Sequence, residues 1–160
     1  MGVGKGSVAR EVSRQSKIMC IDTDDLIESW QNMSIKKIFA MHGEEYFRVL
    51  EKNMAKWLEY NVKKTLISTG GGFFKVGNIH KIGTVVLLDS PFDKIYERLL
   101  KHENAEKKLK KRPLFQDVAK AKSLYKDRKK EYRKIADIII DVSDKDLADT
   151  AKEICKRTGI

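Results

Sequence analysis

The run Gly2-Val3-Gly4-Lys5 leads directly into a helix-forming stretch, Ser7-Val8-Ala9-Arg10-Glu11-Val12, and few folds have a use for that junction. Glycines let successive backbone N–H groups converge on one anion, a lysine adds a point charge, and the helix N-terminus adds its dipole. The run reads as the second half of a phosphate-binding loop. The full pattern, Gly-x-x-x-x-Gly-Lys-[Ser/Thr], needs a further glycine six residues before Lys5, ahead of Met1, and a hydroxyl residue where Gly6 stands. A glycine-rich start can also be only a flexible terminus, so the remainder of the chain has to decide.

Beyond Val12 the chain alternates between strand and helix patterns. Lys17–Asp22, Thr65–Ser68, Thr84–Leu88 and Asp137–Asp141 read as short buried strands. Helical spacing marks Asp24–Trp30, Ser34–Met41, Glu44–Val62 and a terminal helix near Asp144–Arg157, and Pro91 is placed to start a helix at its first turn. In the long helix Phe47, Leu50, Met54, Trp57 and Leu58 recur at core spacing. Strands alternating with helices predict an α/β fold with a parallel sheet covered on both faces.

A chain of 160 residues supports one domain with one sizeable core. The longest apolar runs are too short to cross a bilayer. Cys20 and Cys155 have no metal-type spacing and read as small apolar residues in a reducing compartment. The net charge of +10 is uneven: Lys101–Lys134 holds fourteen basic against five acidic residues. Such a field attracts polyanions. No aromatic residues interleave it as a single-strand groove needs, so most of these lysines read as a solvated helical face. Glu106–Lys111 reads as a mobile loop.

Three stretches carry candidate chemistry. Asp22-Thr23-Asp24-Asp25 lies where a strand releases the chain, the usual ligand side of an open parallel sheet. One carboxylate can face magnesium and another a hydroxyl acceptor; the bland alternative is Asp24 or Asp25 capping the next helix. Ser68-Thr69-Gly70-Gly71-Gly72 spends backbone entropy on three glycines, which suits close approach to a ligand better than an ordinary turn. Arg48 has Glu51 at i+3, a spacing that can hold a guanidinium ready for a carboxylate, or make only a surface ion pair. Lys111-Arg112-Pro113-Leu114 closes the charged loop and suits a lid, while Arg128 and Tyr132 lie one helical turn apart.

Taken in order, these blocks resemble shikimate kinase, a small P-loop kinase family. The likeness runs through Gly-x-Gly-Lys, Asp22-Thr23-Asp24, Ile38-Phe39 to Gly43-Glu44 and Phe47-Arg48, Ser68–Gly72, Arg112-Pro113-Leu114 and Arg128-x-x-x-Tyr132, over essentially the whole chain. The resemblance implies a P-loop NTPase-like parallel sheet flanked by helices, of nucleoside-monophosphate-kinase type. It implies one kinase domain over 1–160, with a substrate-binding helical segment at about 24–63 and a lid at about 102–116. It implies transfer of the ATP γ-phosphate to the 3-hydroxyl of shikimate, with ATP and Mg2+ required.

The same resemblance assigns roles. Gly2, Val3, Gly4, Lys5, Gly6 and Ser7 would cradle ATP phosphates, with Arg98 in the region near adenine. Lys5, Asp24 and Arg112 would be catalytic, Arg112 also touching ATP. Asp24, Arg48, Gly71 and Arg128 would bind shikimate, and Phe39, Phe47 and Glu51 would shape or brace its site. Asp22, with Ser7 as a substitute hydroxyl, would face magnesium. An aspartate at its ordinary pKa of roughly 3.9 is a poor base, so positioning and charge stabilisation are expected to dominate. The implied protein is a cytoplasmic monomer acting on small anions, without nucleic acid or membrane partners. The alternatives are a P-loop kinase for another small hydroxylated acid, and a non-catalytic nucleotide- or nucleic-acid-binding protein.

Two departures stand out. Gly6 replaces the magnesium-ligating hydroxyl, and Ser7 is no equivalent because one helical position turns a side chain by about 100°. The family's first strand, central in its sheet, is absent from this chain, and Met1 is expected not to be the natural start.

Overall fold

The computed structural model describes residues 2–101 and 117–160. The element order is α1 Lys5–Ser16, β1 Cys20–Asp22, α2 Thr23–Gln31, α3 Ile35–Asn61, β2 Leu66–Ser68, a single 3-10 turn Phe73–Lys75, α4 Ile79–Ile82, β3 Val86–Asp89, α5 Phe92–Leu100, α6 Val118–Ile135, β4 Ile138–Asp141 and α7 Leu147–Thr158. The expected lid at 102–116, Arg112 within it and the loop at 106–111 lie outside the described residues.

The strands form two parallel pairs. β1 pairs with β2 in the register Cys20↔Leu66, Ile21↔Ile67, Asp22↔Ser68, and β3 pairs with β4 from Val86↔Ile138 to Asp89↔Asp141. Among the described residues the two pairs are separate sheets. A cavity of about 90 Å³ is lined by Val3, Thr69, Gly70 and Phe74 together with Val85–Asp89. Each pair has its own core. Val8 and Val12 of α1 pack with Phe92, Ile95, Leu99, Ile140, Ala151 and Ile154. Ile27, Ile38, Phe47, Leu50, Met54, Leu58 and Phe73 form the other core, on the α2–α3 side.

The helix boundaries and faces follow local chemistry and correct four expectations. The cap of α2 is Asp22, whose Oδ1 accepts from Asp24 N at 2.9 Å, rather than Asp24 or Asp25. The strand's last residue thus also satisfies a helix donor. Pro91 is the N-cap of α5, one position earlier than expected. Trp57, read as core, is 46% exposed on the outer face of α3. The helices expected at Ser34–Met41 and Glu44–Val62 run together as α3 across a kink at Gly43 (φ 79°, ψ 179°). That backbone region is open to glycine almost alone. The kink ends one axis and starts the next beside Glu44 and Arg48.

Candidate active site

The glycine-rich turn meets α1 as expected. Gly4 is the N-cap at φ 97°, Lys5 opens the helix, and Val3 is buried beneath the turn. Arg98 reaches the same turn from α5: its Nη2 donates to the carbonyl of Val3 at 3.1 Å. The predicted adenine-side arginine therefore also braces the backbone that precedes Lys5.

The ends of β1 and β2 are cross-linked. Ser68 Oγ donates to Asp22 Oδ2 at 2.7 Å, and Gly70 N donates to Thr23 Oγ1 at 2.9 Å. These bonds fix the loop Thr69–Gly72 against the start of α2. Each glycine of the loop then meets one functional side chain. A β-carbon placed on Gly70 would stand 3.2 Å from Cγ of Asp24, and closer still to its Oδ1. One on Gly71 would stand 3.2 Å from Nη1 of Arg128, and one on Gly72 2.7 Å from Cζ of Arg48. The triple glycine is thus a floor without side chains, over which a carboxylate and two guanidinium groups converge.

Arg48 is held from two sides. Its Nη1 donates to Glu51 Oε2 at 2.5 Å, and its Nε and Nη2 donate to Glu44 Oε1 at 3.0 and 2.7 Å. Burial opposes the charge, but these carboxylates outweigh it and hold the guanidinium above its ordinary pKa. Glu51 is 2% exposed, and its Oε1 has no hydrogen-bond partner among the described residues. Phe47 stacks under Arg48, with Cζ 5.6 Å from the ring centroid, and pairs with Phe39 at 4.8 Å. On α6, Tyr132 Oη donates to the carbonyl of Gly71 at 2.6 Å, which seats Arg128 beside the loop.

Asp24 departs from expectation. Burial first, then the charges of Asp22 and Glu51, push its carboxyl up to about 6, against the opposing pull of Lys5 and with a small further push from Asp25. A carboxylate so shifted is a better proton acceptor than one at its reference value. The expectation of a poor base is corrected accordingly.

The metal question turns on Asp22 and Gly6. Magnesium keeps several waters and takes one or two carboxylates along with phosphate oxygens. Asp22, at the mouth of the glycine-rich turn, fits that donor set. A β-carbon on Gly6 would point toward Asp22 Oδ2 at 4.0 Å and Arg10 Nη1 at 3.5 Å. Position 6 is therefore the one from which a hydroxyl would approach Asp22. Ser7 is exposed, one helical position on.

Several contacts were not expected from the sequence. Glu44 sits at the i–4 position from Arg48, a recognisable helical spacing, whereas the Ser68–Asp22 and Thr23–Gly70 bonds join residues 46 and 47 apart.

The family model described as "Shikimate kinase" matches residues 1–158. The shikimate kinase of Helicobacter hepaticus is 39% identical over 140 residues, covering 88% of this chain and 81% of that one. The crystal structure of shikimate kinase from Aquifex aeolicus superposes with a TM-score of 0.75 at 32% identity, covering 98% of this chain and 90% of the other. That of Acinetobacter baumannii in complex with shikimate gives a TM-score of 0.73 at 26% identity, over 98% and 87%. The α/β architecture, the glycine-rich turn before α1 and the full-length match agree, and the chain belongs to the shikimate kinase family, kinases that require ATP and Mg2+.

Proposed function

We propose that this chain transfers the γ-phosphate of ATP to the 3-hydroxyl of shikimate. The observation that carries the reading is the convergence of Asp24, Arg48 and Arg128 on Gly70, Gly71 and Gly72. One base and two fixed cations around a bare backbone floor suit an acceptor with a hydroxyl to be deprotonated and a carboxylate to be gripped. Arg48 and Arg128 hold the carboxylate, and the Gly71 backbone supports the ring. Asp24 orients the hydroxyl and takes its proton as the oxygen attacks the γ-phosphorus and the bond to the β-phosphate oxygen breaks. Lys5 and the Gly2–Ser7 backbone hold the β- and γ-phosphates, with Arg98 behind the turn. Magnesium, when bound, neutralises phosphate charge; Asp22 is the residue that would hold it. Arg112, outside the described residues, keeps the charge-neutralising role that the resemblance gives it.

The domain reading stands beside this: one kinase unit over 1–160, with 24–63 as the acceptor-binding segment and 102–116 as the lid. No described helix is long and apolar enough to cross a membrane. We take the protein to act as a cytoplasmic monomer on small anions. Much of the basic surface of α6 is paired, as in Lys122–Asp93, Lys134–Glu131 and Lys120–Asp117. That favours the solvated-face reading over nucleic acid. The test is ADP release measured against shikimate, gluconate and nucleoside monophosphates. Turnover with shikimate alone is expected, and ADP release that ignores shikimate overturns the reading.

A further inference from the structure

α6 carries Arg128 and is held by few apolar contacts: Tyr125 packs beside Phe92, with ring centroids 5.6 Å apart, and Tyr132 meets Phe74 edge-on at 5.0 Å. Ala121 is its only buried residue over Val118–Ile135. With one fully buried residue and two aromatic contacts, the helix depends on its polar contacts for a precise position, and these fall on two stripes. Tyr125, Lys129 and Arg133 recur at i, i+4 and i+8, while Arg128 and Tyr132 form a second stripe about 100° away.

The two stripes meet different parts of the molecule. Arg128 and Tyr132 meet the glycine loop at Gly71. The first stripe meets the carboxyl end of β3. Lys129 Nζ lies 2.7 Å from Asp89 Oδ1, and Arg133 Nη2 donates to Asp89 Oδ2 at 2.5 Å. Tyr125 Oη donates to the carbonyl of Ser90. Asp89 is 8% exposed and spends one oxygen on each of these two cations. Burial disfavours its charge, but Lys129 and Arg133 more than compensate and keep the carboxyl below its ordinary range.

We propose that Asp89 is a positioning residue for acceptor binding: by clamping Lys129 and Arg133 it sets the rotation and height of α6, and so presents Arg128 over Gly71. This rests on the reading that Arg128 grips the acceptor's carboxylate. On this proposal Asp89 acts through the helix, by way of Lys129 and Arg133. Neutralising it leaves two like-charged neighbours on one helix stripe without their shared counter-charge, which frees α6 to turn. Misplacement of a binding group by about 1 Å can cost up to roughly a hundredfold in rate.

The test compares shikimate with its methyl ester, which lacks the carboxylate charge, on the full chain with ATP. Asp89→Asn is expected to raise KM for shikimate about tenfold, with KM for ATP within about twofold, and to leave KM for the ester nearly unchanged. Asp89→Glu restores most of the preference for the acid. The double variant Lys129→Gln/Arg133→Gln, which releases the clamp from the helix side, reproduces the loss. Arg128→Met separates the two readings. If it leaves the preference for the acid over the ester intact, the Arg128 reading fails and this proposal with it. If it abolishes the preference while folded Asp89→Asn keeps it, the positioning role alone is overturned. Equal losses by Asp89→Asn on acid, ester and ATP also overturn it, because they mark a general structural effect.

Discussion

A β-carbon on Gly72 would lie 2.7 Å from Cζ of Arg48, well inside the optimal separation of about 3.5–4.0 Å between carbons. The guanidinium and the main chain of the loop therefore occupy adjoining space that only a missing side chain leaves open. Arg48 cannot easily retreat, because Glu44 and Glu51 fix it from the other side. Gly72→Ala is expected to displace Arg48 and raise KM for shikimate by about tenfold or more, with a smaller change in KM for ATP. Gly77→Ala is the control, since a β-carbon there meets nothing within 4 Å among the described residues. Steady-state kinetics of the two variants checks the expectation.

The raised carboxyl of Asp24 makes a signed statement about pH. With a folded value near 6, activity that needs the carboxylate falls about tenfold per unit as pH drops below that point. Stability runs the other way. A carboxyl whose folded pKa lies above its ordinary 3.8 favours folding below that ordinary value, and the contribution is lost as pH rises through about 6. Ionised Asp24 at neutral pH thus costs on the order of 2–3 kcal/mol. Asp24→Asn should abolish turnover, raise stability at pH 7.5 and leave it nearly unchanged at pH 4. Urea unfolding at both pH values tests the sign.

Gly43 joins the two axes of α3 at φ 79° and ψ 179°. No described atom lies within 4 Å of a β-carbon placed there, so a substitution is opposed by backbone strain alone. Gly43→Ala should cost about 1–3 kcal/mol. The strain falls next to Glu44, so the variant should also weaken shikimate binding. Thermal unfolding with and without shikimate reads both effects, and an unchanged melting temperature would sink the prediction.

The legible part of this molecule was its chain order. Strand ends, the glycine-rich turn, Asp22 and Asp24, the triple glycine, Arg48 and Arg128 are local patterns, and local patterns survive without coordinates. The hold of Glu51 on Arg48 was equally visible, because i+3 spacing on a helix is a geometric constant. What escaped was pairing across distance. Nothing in the sequence joins Ser68 to Asp22, or Lys129 and Arg133 to Asp89 at the end of another element. The protonation of Asp24 escaped for the same reason. It depends on burial against the loop and on Glu51, which lies 27 positions away and reaches the site only after α3 folds back.

Gly6 gives the last test. Its missing side chain would point at Asp22 Oδ2, 4.0 Å from where the β-carbon would stand, with Arg10 Nη1 at 3.5 Å. Both distances are ordinary van der Waals contact, so a β-carbon is accommodated there without moving the backbone. A serine hydroxyl would add a neutral oxygen beside the carboxylate that fits magnesium. Magnesium affinity responds to such supporting groups by roughly 10–100-fold when they are removed. Gly6→Ser should therefore lower the magnesium concentration needed for ATP binding by several-fold, and the change should appear in calorimetric titration of magnesium with the non-hydrolysed nucleotide as well as in turnover. Ser7→Ala, one position on and exposed, should shift it little. Equal magnesium dependence in the parent and Gly6→Ser would mean that Asp22, water and the phosphates already satisfy the ion.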